Sequence, residues 1–113
     1  DPLARMEQGI RAAVVWTAGH RDLATLVDFA QTDARFAKLI RSGRAALVRD
    51  VVPLIRAAME SGRIPEADPE PLAHAILGVS ANLTSVFIQQ QGRDPDEIAE
   101  VVVDFCLRGI GAR

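Results

Sequence analysis

The sequence predicts an all-α fold, a helical bundle of about five helices. Three observations carry that expectation. Apolar residues recur at helical spacing through most of the chain, and no run alternates cleanly between apolar and polar positions. Proline and glycine sit at the ends of the periodic runs, where they start or stop helices. Apolar residues make up 49% and charged residues 25% of the 113 residues, a balance that supports one core in one globular domain.

The formal net charge is −2, which gives this chain no electrostatic reason to hold nucleic acid. Cys106 is the only cysteine and lies in the apolar run V-V-V-D-F-C-L. It is expected as a buried, reduced thiol, which fits a cytoplasmic protein. Unbroken apolar runs are shorter than the roughly 18 residues a membrane span requires, so no membrane contact is expected. No secretory signal is seen at the start of the chain.

The elements follow in order. Asp1-Pro2 is a cap and first-turn pair. Leu3, Met6, Ile10, Ala13, Val14 and Thr17 then form one helical stripe, with Gly9, Trp16 and His20 along its edge. Gly19 ends that helix. A short helix from about Arg21 to Gln31 carries Leu23, Leu26, Val27 and Ala30 on one side. Thr32-Asp33 breaks and caps. One long helix then runs from about Asp33 to Ser61, its main face Phe36, Ile40, Gly43, Leu47, Val51, Leu54 and Ala58. A second apolar flank is Ala37, Val48, Val52, Ile55 and Met59, and Arg35, Lys38, Arg49, Arg56 and Glu60 form the wet face. Pro53 removes a hydrogen bond there and crowds the carbonyl of Arg49, so a kink is expected.

Gly62 sits where the long helix stops, because glycine takes the left-handed conformation without a Cβ clash. Asp68 then caps a new helix, Pro69 to about Gln91, with Leu72, Ile76, Val79, Leu83, Val86 and Phe87 as its core stripe. The opposite side, His74, Gly78, Ala81 and Ser85, carries no fixed charge. A face open to water usually carries Lys or Glu, so this one is read as a second contact surface. Asp94-Pro95 starts the last helix, to about Gly109. Ile98, Ala99, Val101, Val102, Val103, Phe105, Cys106, Leu107 and Ile110 cover most of its circumference. That surplus implies a partner. The last two helices are therefore expected to pair as a four-helix bundle across a two-fold axis, through Gly78, Ala81, Ser85, Val102, Cys106 and Ile110.

The run G-R-I-P-E-A-D-P-E-P-L-A, followed by a helix with a central Gly78, resembles the C-terminal half of TetR-family transcriptional repressors. The resemblance implies a homodimer through the last two helices and a small effector held in an apolar cavity upstream. It also implies a helix-turn-helix domain before Asp1, through which alone the protein would touch DNA and which the effector would release. Residues 1–113 would then be the effector-binding and dimerisation domain of a longer repressor.

Met6, Trp16, Phe36, Met59, His74 and Phe87 are the ligand-binding candidates. Large side chains at Met6, Trp16, Phe36 and Phe87 alternate with Gly9, Ala13 and Gly43, a mixture that leaves room for a guest. The scarcity of charge on those faces favours an apolar or aromatic guest. By default the large apolar residues among them are core residues, and His74 is equally a candidate for the dimer face. No catalytic motif occurs: His20, His74 and Cys106 lack metal-ligand spacing, and the carboxylates cluster at helix starts, where capping explains them. No cofactor, no metal and no enzymatic activity are expected. The competing reading is a stand-alone helical interaction module without a ligand cavity.

Overall fold

The structure is a computed structural model that describes residues 1–30 and 32–112, with the backbone alone at Ala24 and Asp28. Among the described residues five α-helices follow one another: α1 (Pro2–Ala18), α2 (Arg21–Ala30), α3 (Ala34–Glu60), α4 (Pro69–Leu83) and α5 (Pro95–Gly109). Gln31, placed at the end of the second helix from the sequence, lies outside the described residues. Asp1, Asp33, Asp68 and Asp94 each accept a bond from the backbone N–H two residues on, so every helix with a predicted aspartate cap has it. Gly62 and Gly111 have φ of 73° and 82°, and Arg63 and Ala112 donate to the carbonyls of Ala58 and Leu107 at 2.9 Å. This closure satisfies the last carbonyls of α3 and α5.

α3 stays helical through Pro53. The penultimate helix is not α-helical throughout. Its last part, Thr84–Gln90, is π-helical, an irregularity the apolar periodicity does not encode. Together Pro69–Gln90 has 22 residues and contains an 18-residue stretch with a mean hydropathy of 1.4, long and apolar enough by length and composition to cross a membrane. That corrects the expectation of no such segment. Ala73, Ile76, Thr84 and Ile88 of this helix are buried in the core of the domain, and only 22% of the apolar stretch is buried in all.

α1 packs on α5 and α3, and α4 packs on α3 and α5, so four helices close a ring. α2 lies outside it, against α1 and α3. The Cα extents are 41 × 32 × 17 Å, a slab about two helices thick. Its radius of gyration, 14.5 Å, exceeds the roughly 13 Å expected for a compact chain of this length.

The centre of the core is the α1–α5 seam. Leu3, Met6, Ile10 and Val14 of α1 are buried, as are Ile98, Ala99, Val102, Val103 and Cys106 of α5 and Ile110 at its end. Two expectations are corrected here. α5 does bury most of its wide apolar arc within its own chain, because α1 supplies a full stripe against it. Val102, Cys106 and Ile110 are 0%, 5% and 7% exposed, so they are core residues and not dimer contacts. On α3 the phase is also different. The flank residues Val48 and Ile55 are buried, whereas Phe36, Gly43 and Leu47 of the expected main face are exposed.

Outside this seam, Arg11 bridges the two helices. Its Nε and Nη2 donate to Glu100 Oε1 and Oε2 at 2.7 and 3.1 Å, and it also pairs with Glu7 at 3.1 Å. The hydrogen bonds from Arg11 hold the Glu100 carboxyl below its ordinary range. A carboxylate with a lowered folded pKa stabilises the fold above the ordinary glutamate range, about pH 4, and that contribution is lost as pH falls through the lowered value. Urea midpoints measured along that acid limb should therefore fall less steeply in Glu100→Gln. An unchanged slope would mean that the pair adds nothing.

Val102 supplies the sharper test of the seam. Val102→Glu would bury a carboxylate with no partner, at a cost of several kcal/mol. Loss of the cooperative thermal transition by circular dichroism is expected. A variant that melts like the parent would show that Val102 faces outward.

Candidate functional site

With the α1–α5 seam filled, the surfaces that remain can be sorted by what covers them. α2 is the clearest case. Leu23, Leu26 and Val27 lie on one side of an amphipathic helix, yet they are 47%, 60% and 42% exposed. Beside α2 on α3, Phe36 and Leu39 are exposed, as are Val15 and Trp16 near the end of α1. The predicted stripe of α2 exists, but the ring of four helices leaves it uncovered. An apolar surface of this extent is what a ligand or a partner covers.

Trp16 stacks on His20 within this region, with ring centroids 4.0 Å apart and an interplanar angle of 13°. His20 Nδ1 lies 2.6 Å from the carbonyl of Trp16, which fixes the imidazole against the indole. The turn that follows, Ala18–Leu23, lines an open cleft of about 370 Å³. Arg21 reaches from the start of α2 to the carbonyl of Gln89 at 2.5 Å, so α2 is tied to the end of the π-helical segment.

The six ligand candidates do not converge. Met6 is 4% exposed inside the α1–α5 seam and is out of reach of a guest. Its side chain fills the stripe, so it is corrected to a core residue. Met59 is half-buried against the core. Phe87 is half-buried, with the Arg93 guanidinium 5.5 Å above its ring. Trp16 and Phe36 are exposed in the α1–α2–α3 region. Gly9 and Gly43, expected as small partners beside a cavity, face open space.

His74 lies elsewhere, at the edge of a groove of about 740 Å³ between α3 and the start of α4. Val48, Val52 and Pro53 form its apolar floor, and Arg41, Arg44, Arg49 and Arg56 surround them. Sequence reading missed this groove. The signal was present: the wet face of α3 reads R-x-x-R-x-x-x-x-R-x-x-x-x-x-x-R from Arg41, with few carboxylates to balance it.

The dimer candidates divide in the same way. Gly78 and Ala81 are exposed on α4 and Ser85 is half-buried. With Pro71, His74, Ala75 and Asn82 they make an exposed stripe free of fixed charge. A Cβ at Gly78 would meet nothing within 4 Å, so no helix of the same chain approaches it. On α5, Val101 and Phe105 are 50% and 62% exposed, and these replace Val102, Cys106 and Ile110 as the outward residues.

Among the described residues no cluster of His, Cys, Asp and Glu could hold a metal ion. Burial pushes the Cys106 thiol up, away from a reactive thiolate. Comparison with known proteins gave no match among curated proteins or solved structures. The family described as tetracyclin repressor-like, C-terminal domain, does match, over residues 1–110. With five helices in this order and that coverage, the chain belongs to the TetR-like C-terminal domain family, whose members are regulatory ligand-binding and dimerisation domains.

Proposed function

We propose that the chain is the effector-sensing and dimerisation domain of a cytoplasmic TetR-like transcriptional repressor. The observation that carries the effector reading is the uncovered apolar face of α2 with its neighbours on α1 and α3. The guest is a small apolar or aromatic molecule. Trp16 and Phe36 are its first contacts, joined by Leu23, Leu26 and Val27. Covering that face would draw α2 toward the bundle, and Arg21 would carry the movement to the π-helical end of the penultimate helix. In the full repressor this shift would move helix-turn-helix domains apart and release DNA.

Dimerisation uses the uncharged stripe of α4, Gly78, Ala81 and Ser85, with Val101 and Phe105 of α5. Both helices already share the core, so their outer faces can complete a four-helix bundle with a second copy. An interaction module that binds a different protein would use the same surfaces. It would show no homodimer and no small-molecule response.

Two outcomes are expected. The domain should sediment as a dimer at micromolar concentration. Phe105→Glu, which is exposed in the protomer, should keep its fold and raise the dimer dissociation constant about tenfold or more, equivalent to about 1.4 kcal/mol. Gly78→Leu should behave alike, since the protomer has room for it. A parent protein that sediments as a monomer sinks the dimer reading.

Titration with naphthalene should change Trp16 emission saturably and raise the melting temperature, because a ligand bound only by the folded state stabilises it. Trp16→Ala should lose that thermal shift and retain a folded dimer. Absence of any saturable response across a panel of aromatic and aliphatic compounds would move the weight to the interaction module.

A further inference from the structure

We infer that the groove between α3 and the start of α4 is a binding site for a small amphipathic anion, distinct from the apolar face of α2. The groove combines an anion-selective rim with an apolar floor. Arg41, Arg44, Arg49 and Arg56 of α3 flank Val48 and Val52 on both sides, and all line the same space. This local excess runs against the chain as a whole, whose net charge is −2.

The arginines elsewhere show how this chain treats a cation that serves the fold. Arg11 is paired with Glu100 and Glu7, Arg35 with Asp33, Arg63 with Asp1, Arg93 with Glu97 and Arg108 with Asp104. Arg21 holds the carbonyl of Gln89, and Arg5 alone of the described arginines outside the groove is exposed without such a partner. The four groove arginines make no hydrogen bond or ion pair among the described residues. Asp68 and Glu70 also line the groove, but four guanidiniums outnumber two carboxylates, and Asp68 already accepts the Glu70 N–H at 3.2 Å as a helix cap. Arg41 and Arg44, three residues apart, repel as like charges on neighbouring helix positions, and an anion seated between them relieves that repulsion.

Guanidinium groups present planar pairs of donors that match carboxylate and phosphate oxygens. The groove is about 740 Å³, within the size range of small-molecule sites, and Val48, Val52 and Pro53 give a non-polar body somewhere to lie. His74 stands on the α4 side, where it can donate a further hydrogen bond to the head group. The ligand class is therefore a carboxylate or phosphate head on a short apolar chain.

Octanoate, octyl phosphate, octanol and inorganic phosphate separate the contributions of head and chain. Calorimetric titration of the dimeric domain should show saturable binding of octanoate, weakening as salt is added. Octyl phosphate in place of octanoate should bind comparably, which would establish that head charge rather than carboxylate identity is read. Arg44→Gln and Arg49→Gln, both exposed and unpaired, should keep the far-ultraviolet spectrum and weaken octanoate about tenfold each. Octanol binding as tightly as octanoate, or octanoate affinity unchanged in both variants, would overturn the assignment. Inorganic phosphate binding as tightly as octyl phosphate would overturn the role of the apolar floor. Octanoate that perturbs Trp16 emission while ignoring the arginine substitutions would place it on the α2 face, leaving the effector reading intact and this site refuted.

Discussion

Everything else in this domain depends on the packing of α1 along α5. A single stripe, Leu3, Met6, Ile10 and Val14, meets Ile98, Val102, Val103 and Cys106, and all are nearly inaccessible to solvent. Burial of such side chains stabilises by about 1.5–3 kcal/mol each before entropy is counted. Because the first and last helices pair, the chain closes into a ring, with α3 and α4 completing it. The pairing also decides what is left over. Once α1 takes the broad inner arc of α5, only Val101 and Phe105 point away, beside an α4 face that carries no charge.

A slab two helices thick has a single interior, and this one is filled by the seam and its flank on α3. No second interior remains for the aromatic residues of α1, α2 and the first half of α3. They lie on the outside, and the physical question changes from what fills a cavity to what covers a face. α2 is joined to the ring by contacts to α1 and α3 and by the reach of Arg21 to the Gln89 carbonyl. A peripheral helix with an unburied apolar stripe gains more from a ligand than any helix already packed, and the proposed sensing role rests on that asymmetry. In that proposed role the π-helical turn at Thr84–Gln90 is where Arg21 would pass on a movement of α2. A backbone with an extra residue in its turn has an alternative α-helical register nearby in conformation.

Helix ends were legible in the sequence because they are set by local chemistry. Asp1, Asp33, Asp68 and Asp94 cap what they were expected to cap, and Gly62 stops α3 where a positive φ is needed. Partnering was less legible. A periodic stripe reveals that a face is apolar and does not say which neighbour takes it, so Val102, Cys106 and Ile110 were given to a second protomer when α1 had the matching stripe. The phase of α3 was missed for a related reason. It carries two apolar flanks, and the buried positions Val48, Ile55 and Ala58 are drawn from both. Large residues beside small ones in a sequence do not distinguish Met6, buried in the seam, from Trp16, exposed on the surface. The arginine groove went unnoticed because each arginine, taken singly, looks like an ordinary wet-face residue.

α1 and α5 are expected to form the stable clasp of the domain, with α2 held loosely until its apolar face is covered. Native-state hydrogen exchange, resolved helix by helix in the ligand-free domain, measures this directly. The slowest amides should lie in α1 and α5, those of α4 should be intermediate, and α2 should exchange fastest of the five helices. Amides in α2 as protected as those of α5, with no ligand present, would contradict the account.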